Sequence, residues 1–547
     1  MTEFLCQEET KNQGKAVPKI LHKKGYLYVT EFFAGMAVMA VELGASRLLA
    51  PYFSSSQIVW TIIIGTIMIA MALGNVWGGR MADRYPEPDR LYKRMLIAAV
   101  WIALIPVLGK YVIVGITGIL IITINTNLLI WAAFLACMII FVFPLFLLGT
   151  VTPSLVKFAT GNLEHNASVV GSLGACNTIG SIIGTFLPTF VTIPAVGTAV
   201  TFLLFSGILL VIALIYFISA KGGKRMSAIA VAAFIVCSIF GNSDSFAFWE
   251  DDLTYEGESV YNYLQVRDTK SSTILSTNVL FGVQSVRMKE GGLTGMYYDY
   301  ALAAPVMAHV ADREDPSLLV LGMGTGTFAQ QTAEYFPDVS VEGVEIDESI
   351  TDLAHVYFEL SEEIPVTTYD GRAYLYADEH LYDVIMVDAY QDITIPFQMS
   401  SVEFFQLVKE HLKPGGVMVV NMNMHTDEKG NINEYLSDTI DSVFLDVACV
   451  DVKGSTNREL FASDDPDVID AFLKQPAKTD SAELNSMMEE VRSGMTPYQG
   501  GNCIFTDDKA PVELMGMKAI DALIRDELGY YKDLYHEKGL KGLMDEL

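Results

Sequence analysis

Long apolar stretches fill most of the first 220 residues, at 27–50, 57–79, 95–118, 127–150, 167–192 and 198–220. Each can cross about 30 Å of hydrocarbon, which takes roughly 20 helical residues, so six transmembrane helices are predicted. A seventh run, 226–241, is short for a span and is followed by Phe246, Phe248 and Trp249, residues suited to a membrane interface. From about residue 311 the pattern changes. Apolar runs of strand length alternate with amphipathic stretches of helical length, as in a parallel sheet covered by helices. Leu318–Leu321 is continuously apolar, as a strand buried on both faces should be.

Charge divides the chain at the same place. Residues 1–242 carry 16 Lys+Arg against 9 Asp+Glu, a net of +7, and the remainder carries 20 against 56, a net of −36. So acidic a soluble half repels phosphate backbones, which argues against nucleic acid as a partner, and it favours a small cationic one. The expected layout is a cytosolic flank (1–25), a bundle of six to seven transmembrane helices in a lipid bilayer (26–242), a small β segment and linker (243–310), and an α/β domain (311–547). Basic residues cluster before the first span, between the second and third (Arg80, Arg84, Arg90, Lys93, Arg94), at Lys157, and at Lys221–Arg225. The positive-inside rule therefore puts the N-terminus and residue 225 in the cytosol. The side of the soluble half depends on residues 226–241: outward if they span, cytosolic if they do not. The cytosolic supply of nucleoside cofactors favours the second alternative. The six scattered cysteines show no metal-ligand spacing, so neither a metal site nor a disulfide scaffold is expected.

Three features inside the bundle carry chemistry. Glu42 lies mid-span, where a carboxylate must face the bundle interior or a wet cavity, which suits either a structural hydrogen bond or a transport role. Gly171, Gly174, Gly180 and Gly184 surround Asn177 on one predicted helix, a pattern for close helix packing with an amide as interhelical glue. The loop stretch Gly78–Arg84 is similar to a cytosolic loop motif of major-facilitator transporters.

The α/β half offers a nucleoside site. After the first strand come Gly322, Gly324, Thr325 and Gly326, then a helix, then a strand ending at Glu345, 19 residues beyond Gly326. Glycines let backbone approach a ligand closely, and an acid at that spacing can accept hydrogen bonds from ribose hydroxyls. The next two strands end at Asp370-Gly371 and at Asp388. Ligands in open α/β sheets bind beyond the carboxyl ends of the strands, so Glu345, Asp370 and Asp388 are expected to converge on one crevice. Each alone also suits a helix N-cap.

Residues 259–425 resemble the spermidine synthase family of polyamine aminopropyltransferases, and the whole chain resembles its membrane-fused relatives. The likeness is carried by the segment Ser259–Ser285, by the tyrosine-bearing stretch Gly295–His309, and by the glycine turn and strand-end acids in order. It implies a Rossmann-like domain of the S-adenosylmethionine methyltransferase type, preceded by a small β segment. It also implies aminopropyl transfer from decarboxylated S-adenosylmethionine to a diamine such as putrescine, without a metal. On this resemblance Asp388 is the base that takes the amine's proton, Glu345 holds ribose, and Asp370 and Gly371 meet adenine. Tyr297 lines the amine pocket, and Asn262 and Tyr298 stand where the family has adenosyl-contacting glutamines. A homo-oligomer is compatible with the family but not fixed by it.

Two departures qualify the reading. Thr325 replaces the acid that holds the donor's amine in the family, and Gln391, with Asp392 beside it, replaces the second acid of the amine-binding motif. The loop Gly322–Gly326 also suits intact S-adenosylmethionine, so a methyltransferase is one alternative. A polyamine or metabolite transporter with a non-catalytic nucleoside-sensing domain is the other.

Overall fold

The computed structural model describes residues 19–529 apart from 23, 125, 161–165, 242–244, 251–252, 280–282, 390–394, 424–428 and 526–528. The chain forms two compact units. One comprises residues 1–49, 59–118 and 130–245, and the other comprises 50–58, 119–129 and 246–547.

The first unit is helical: α1 (Lys24–Phe53), α2 (Gln57–Arg84), α3 (Pro88–Thr123), α4 (Leu128–Ile140), α5 (Val142–Gly149), α6 (Val151–Ala159), α7 (Asn166–Leu187), α8 (Ile193–Ala220) and α9 (Lys224–Phe240). Among the described residues five helices are long and apolar enough to cross a membrane, the last a merged stretch of 54 residues, Ala167–Ala220. At 1.5 Å per residue that stretch is roughly 80 Å long, far beyond one bilayer. It is broken by a π-helical turn at Pro188–Thr192 and by Gly197, whose φ is +79°, so it supplies two of the predicted crossings. α9 folds back on α8: Phe234 meets Gly207, and Cys237 packs with Ala103 and Leu203.

Close packing in this unit runs through two of the four predicted glycines. A Cβ at Gly180 would come within 2.0 Å of the Phe32 carbonyl oxygen, and one at Gly184 within 2.1 Å of the Met36 carbonyl, whereas Gly171 and Gly174 have nothing within 4 Å. The Asn177 amide does bridge helices, and its partner is Glu31, not Glu42. Glu31 Oε1 accepts from Asn177 Nδ2 at 2.9 Å and from Thr152 Oγ1 at 2.5 Å. Glu42 is only half-buried.

The second unit opens with an antiparallel sheet, β1 (Leu253–Glu258), β2 (Tyr263–Asp268), β3 (Ser272–Ser276) and β4 (Ser285–Met288), followed by α10 (Tyr297–Ala301) and α11 (Ala303–Met307). The alternating core follows in chain order: β5 (Ser317–Leu321), α12 (Thr327–Tyr335), β6 (Ser340–Glu345), α13 (Glu348–Tyr357), β7 (Val366–Thr368), α14 (Gly371–Ala377), β8 (Tyr382–Val387), α15 (Val402–Glu410) and β9 (Leu412–Met422). It closes with α16 (Ile432–Asp441), β10 (Asp446–Asp451), β11 (Arg458–Ser463), α17 (Pro466–Lys474), α18 (Ala482–Gly494) and β12 (Thr496–Pro497). The strand order is β12-β10-β11-β9-β8-β5-β6-β7, parallel from β9 to β7 and antiparallel beyond. From β5 the chain winds one way to β6 and β7, then returns to lay β8 and β9 on the other side. The order therefore reverses between β5 and β8, and their carboxyl ends flank the crevice where such sheets bind ligands.

Local chemistry starts the helices where the sheet needs them. Asp347, Asp370, Ser401 and Asn431 each cap one, their side chains accepting from Ser349, Ala373, Phe404 and Glu434 N–H groups respectively. The small sheet is fastened by an apolar patch, Leu264, Val266 and Leu275 against Ile350, Leu353 and Phe358, which carries residues 259–262 to the site. At the far end of β8 the fully buried Asp383 accepts from Arg313 at 2.6 Å, Lys413 at 2.7 Å and the Ser317 N–H at 2.8 Å. These bonds tie β5, β8 and β9 together below the crevice. Removing one partner of a buried ionic cluster strands the others, a cost of about 3 kcal/mol or more. Asp383→Ala should therefore lower stability by that order, measured as faster amide hydrogen exchange in β8 and β9 of the full-length protein.

Candidate active site

A cavity of about 410 Å³ opens at the reversal point, and its wall includes Asn262, Tyr298, Gly324, Glu345, Asp370 and Asp388. The predicted residues from four segments thus meet. The crevice is narrow because β5 and β8 end side by side: the Asp388 N–H donates to the Leu321 carbonyl at 2.9 Å. A Cβ on Gly322 (φ +86°) would lie 2.6 Å from the backbone of Asp388 and Ala389, so only glycine fits there.

Asp388 follows β8, and no cation hydrogen-bonds to it among the described residues. Its Oδ2 accepts from the Tyr297 hydroxyl at 2.7 Å and its Oδ1 from Asn421 Nδ2 at 2.9 Å. Burial pushes its carboxyl up to about 7 and the nearby Glu345 adds to the rise, while the two neutral donors pull it down. Tyr297 is itself buried against Tyr298, ring centroids 3.9 Å apart, and burial beside Asp388 holds its phenol far above the ordinary range. It therefore stays a donor.

Glu345, at the end of β6, accepts from the Gly324 N–H at 2.9 Å and from the Asp347 N–H at 3.1 Å. Burial raises it to about 7 against these bonds. It reaches across the glycine turn as a ribose-holding acid would. Asp370 both lines the cavity and caps α14, so the functional and the capping readings coexist in one side chain. Gly371 begins that helix on the cavity wall. The Asn262 amide donates to Asp347 at 2.9 Å, and the Tyr298 hydroxyl donates to the Gln284 carbonyl at 2.8 Å.

Two residues of the glycine turn stand apart from that wall. Thr325 is fully buried, its N–H donating to Ser285 Oγ at 3.2 Å, and Gly326 (φ +80°) begins α12 with Leu360 pressed against it. Neither is among the residues on the wall. Both hold the turn's shape behind it. Gln391 and Asp392 lie outside the described residues.

Three contributors were not read from the sequence. Asn421, the polar residue near the end of the apolar strand β9, orients Asp388 and accepts from the Asn457 amide at 2.8 Å. Glu459 is an acid inside the otherwise buried run Glu459–Ser463 of β11. Arg372 grips Asp507 with two bonds of 2.7 Å and so pins the segment around residue 507 to α14. A polar residue interrupting an apolar strand was the available signal for the first two. The third pairing is not local.

A family model described as "Spermine/spermidine synthase domain" matches residues 299–452. A curated relative from Bifidobacterium longum, "Probable polyamine aminopropyl transferase", is 53% identical over 348 residues, covering 60% of this chain and 77% of that protein. A "Polyamine aminopropyltransferase" from Vibrio vulnificus is 26% identical over 206 residues, 36% of this chain and 67% of its own. Among solved structures, a probable spermidine synthase from Corynebacterium glutamicum matches with 19% identity, 47% of this chain, 99% of that chain and a TM-score of 0.35.

The Asp388 carboxyl should titrate near pH 7, seen as a C=O stretch in infrared difference spectra that Asp388→Asn abolishes. Tyr297→Phe removes a donor that favours the ionised form, so it should move this midpoint upward by about one pH unit. An unmoved midpoint would show that the phenol does not tune the acid.

Proposed function

We propose, for a chain that belongs to the spermine/spermidine synthase family of polyamine aminopropyltransferases, that this transferase moves the aminopropyl group of decarboxylated S-adenosylmethionine to a diamine such as putrescine. The observation that carries the reading is the desolvated Asp388, held by two neutral donors at the mouth of a crevice walled by Glu345 and Asp370.

In this reading Glu345 takes the ribose hydroxyls and Asp370 and Gly371 face the adenine, while the Gly324 backbone lies close to the donor. A protonated amine has no lone pair with which to attack. Asp388, poised near neutrality, removes that proton. The freed nitrogen then attacks the donor's propyl carbon beside the sulfonium, a C–N bond forms as the C–S bond breaks, and the electron pair leaves on sulfur as neutral methylthioadenosine. Tyr297 and Asn421 fix the carboxylate's direction during both steps. Acidic walls favour the cationic substrates and disfavour anionic ones.

The purified full-length protein is expected to make spermidine from these two substrates. Asp388→Asn should lower kcat by about 10²–10⁴-fold, the usual contribution of a general base, with a smaller effect on donor KM. The ionised form is required, so activity should fall as pH drops through about 7, and Tyr297→Phe should shift that limb to higher pH. Methyl transfer from intact S-adenosylmethionine in the same assay, with no aminopropyl product, overturns the reading.

The bundle is read as a membrane anchor, and α9 supports an outward-facing soluble unit. It runs back along α8 from the basic turn at Lys221–Arg225 for 17 residues, roughly 25 Å. In intact cells a cysteine introduced at the exposed Ser486, with Cys503 changed to Ser, should react with a membrane-impermeant maleimide. Labelling only after lysis would put the soluble unit in the cytosol.

A further inference from the structure

The described residues contain one acidic side chain that the mechanism above does not use and that the fold does not satisfy. Glu459 on β11 is fully buried, at 0% exposure, and neither carboxyl oxygen has a hydrogen-bond partner among the described residues. A buried carboxyl without donors is held in its neutral form, and a cation bound against it would favour its ionised form.

Its place in the sheet says which. In register, Glu459 sits directly opposite Asn421 on β9, the residue whose amide holds Asp388. Side chains alternate along a strand, so Glu459 shares a face with Phe461, and Phe461 packs in the cluster that contains Tyr297 and Tyr300. Glu459 thus lies on the Tyr297 side of the sheet, two strands over from the base. Burial and the neighbouring Asp388 charge both hold its carboxyl well above the usual range, as expected for an acid awaiting a cation.

We propose that Glu459 is the anchor for the distal ammonium of the diamine acceptor, setting the length of amine that presents its other nitrogen to Asp388. Two strand spacings separate the acids, roughly 10 Å. A four-carbon diamine spans about 6 Å between nitrogens, and a hydrogen bond of about 3 Å at each end completes the bridge with bent geometry. The proposal rests on the aminopropyl-transfer reading and adds a specificity residue to it.

The test compares putrescine with n-butylamine, which has the same chain and lacks the distal amine, using the full-length protein in lipid nanodiscs. The measured quantity is the ratio of kcat/KM for the two acceptors, with calorimetric binding of each amine as a second readout. Glu459→Gln, nearly the same shape, should reduce that ratio on the order of 30-fold, chiefly through putrescine KM, because one buried charge pair is lost. Glu459→Asp, with its carboxylate drawn back, should shift preference toward the five-carbon diamine. An equal loss for both amines would mean a structural role and overturn the proposal, as would an unchanged ratio. Wild-type protein that transfers to neither amine refutes the aminopropyl reading instead. In that case the calorimetric putrescine-to-butylamine preference, and its loss in Glu459→Gln, still decides the role of Glu459.

Discussion

The α/β unit is organised around one largely desolvated carboxylate, Asp388, that neutral donors hold in place of a cation. An arginine or lysine beside Asp388 would stabilise its charge and drop its affinity for protons well below neutrality. A phenol and an amide instead orient the oxygens while leaving the group near the midpoint of its titration at cellular pH. The site then depends on the incoming substrate for positive charge. A crevice whose acids, Glu345 and Asp388, have no cation bonded to them among the described residues is a poor host for anions and a better one for cations.

That arrangement needs a rigid frame. The cations absent from Asp388 among the described residues are found at the other end of β8, where the buried Asp383 binds the half-buried Arg313 and Lys413. β8 thus has at one end a paired acid that holds the sheet together and, just beyond its other end, an acid held by neutral donors, the base in the proposed reaction. Their sequence contexts, Tyr382-Asp383-Val384 and Val387-Asp388-Ala389, differ little. Which ends of neighbouring strands converge decides the difference.

This explains what could be read from the chain. Apolar runs of strand length, the glycine turn, and acids at successive strand ends are local patterns, so β5, β6 and β8 and the meeting of Glu345, Asp370 and Asp388 were legible. So were the long apolar helices, with the merged stretch Ala167–Ala220 dividing where Pro188 and Gly197 interrupt it. Partnerships across long separations were not. Asn421 with Asp388, Arg372 with Asp507, and Glu31 with Asn177 each join residues whose pairing is set by topology. Glu42 drew attention because it is central in its predicted span, yet the Asn177 amide bonds to Glu31, about three turns earlier on the same helix face. Thr325 was placed on the cavity wall because it sits in the glycine turn, but the turn's tight curvature carries that side chain behind it. Helix α15 also stops at Glu410, before Pro414-Gly415, because β9 begins at Leu412 and takes those residues into the strand.

Gly322 places a further limit on this architecture. With no room for a Cβ between it and the backbone of Asp388 and Ala389, the glycine turn and the segment that carries Asp388 behave as one mechanical part. Neither can be lengthened or redirected without displacing the other. On the aminopropyl-transfer proposal, a change of amine specificity is therefore easiest from the antiparallel side of the sheet, where β11 lies two strands away from β8.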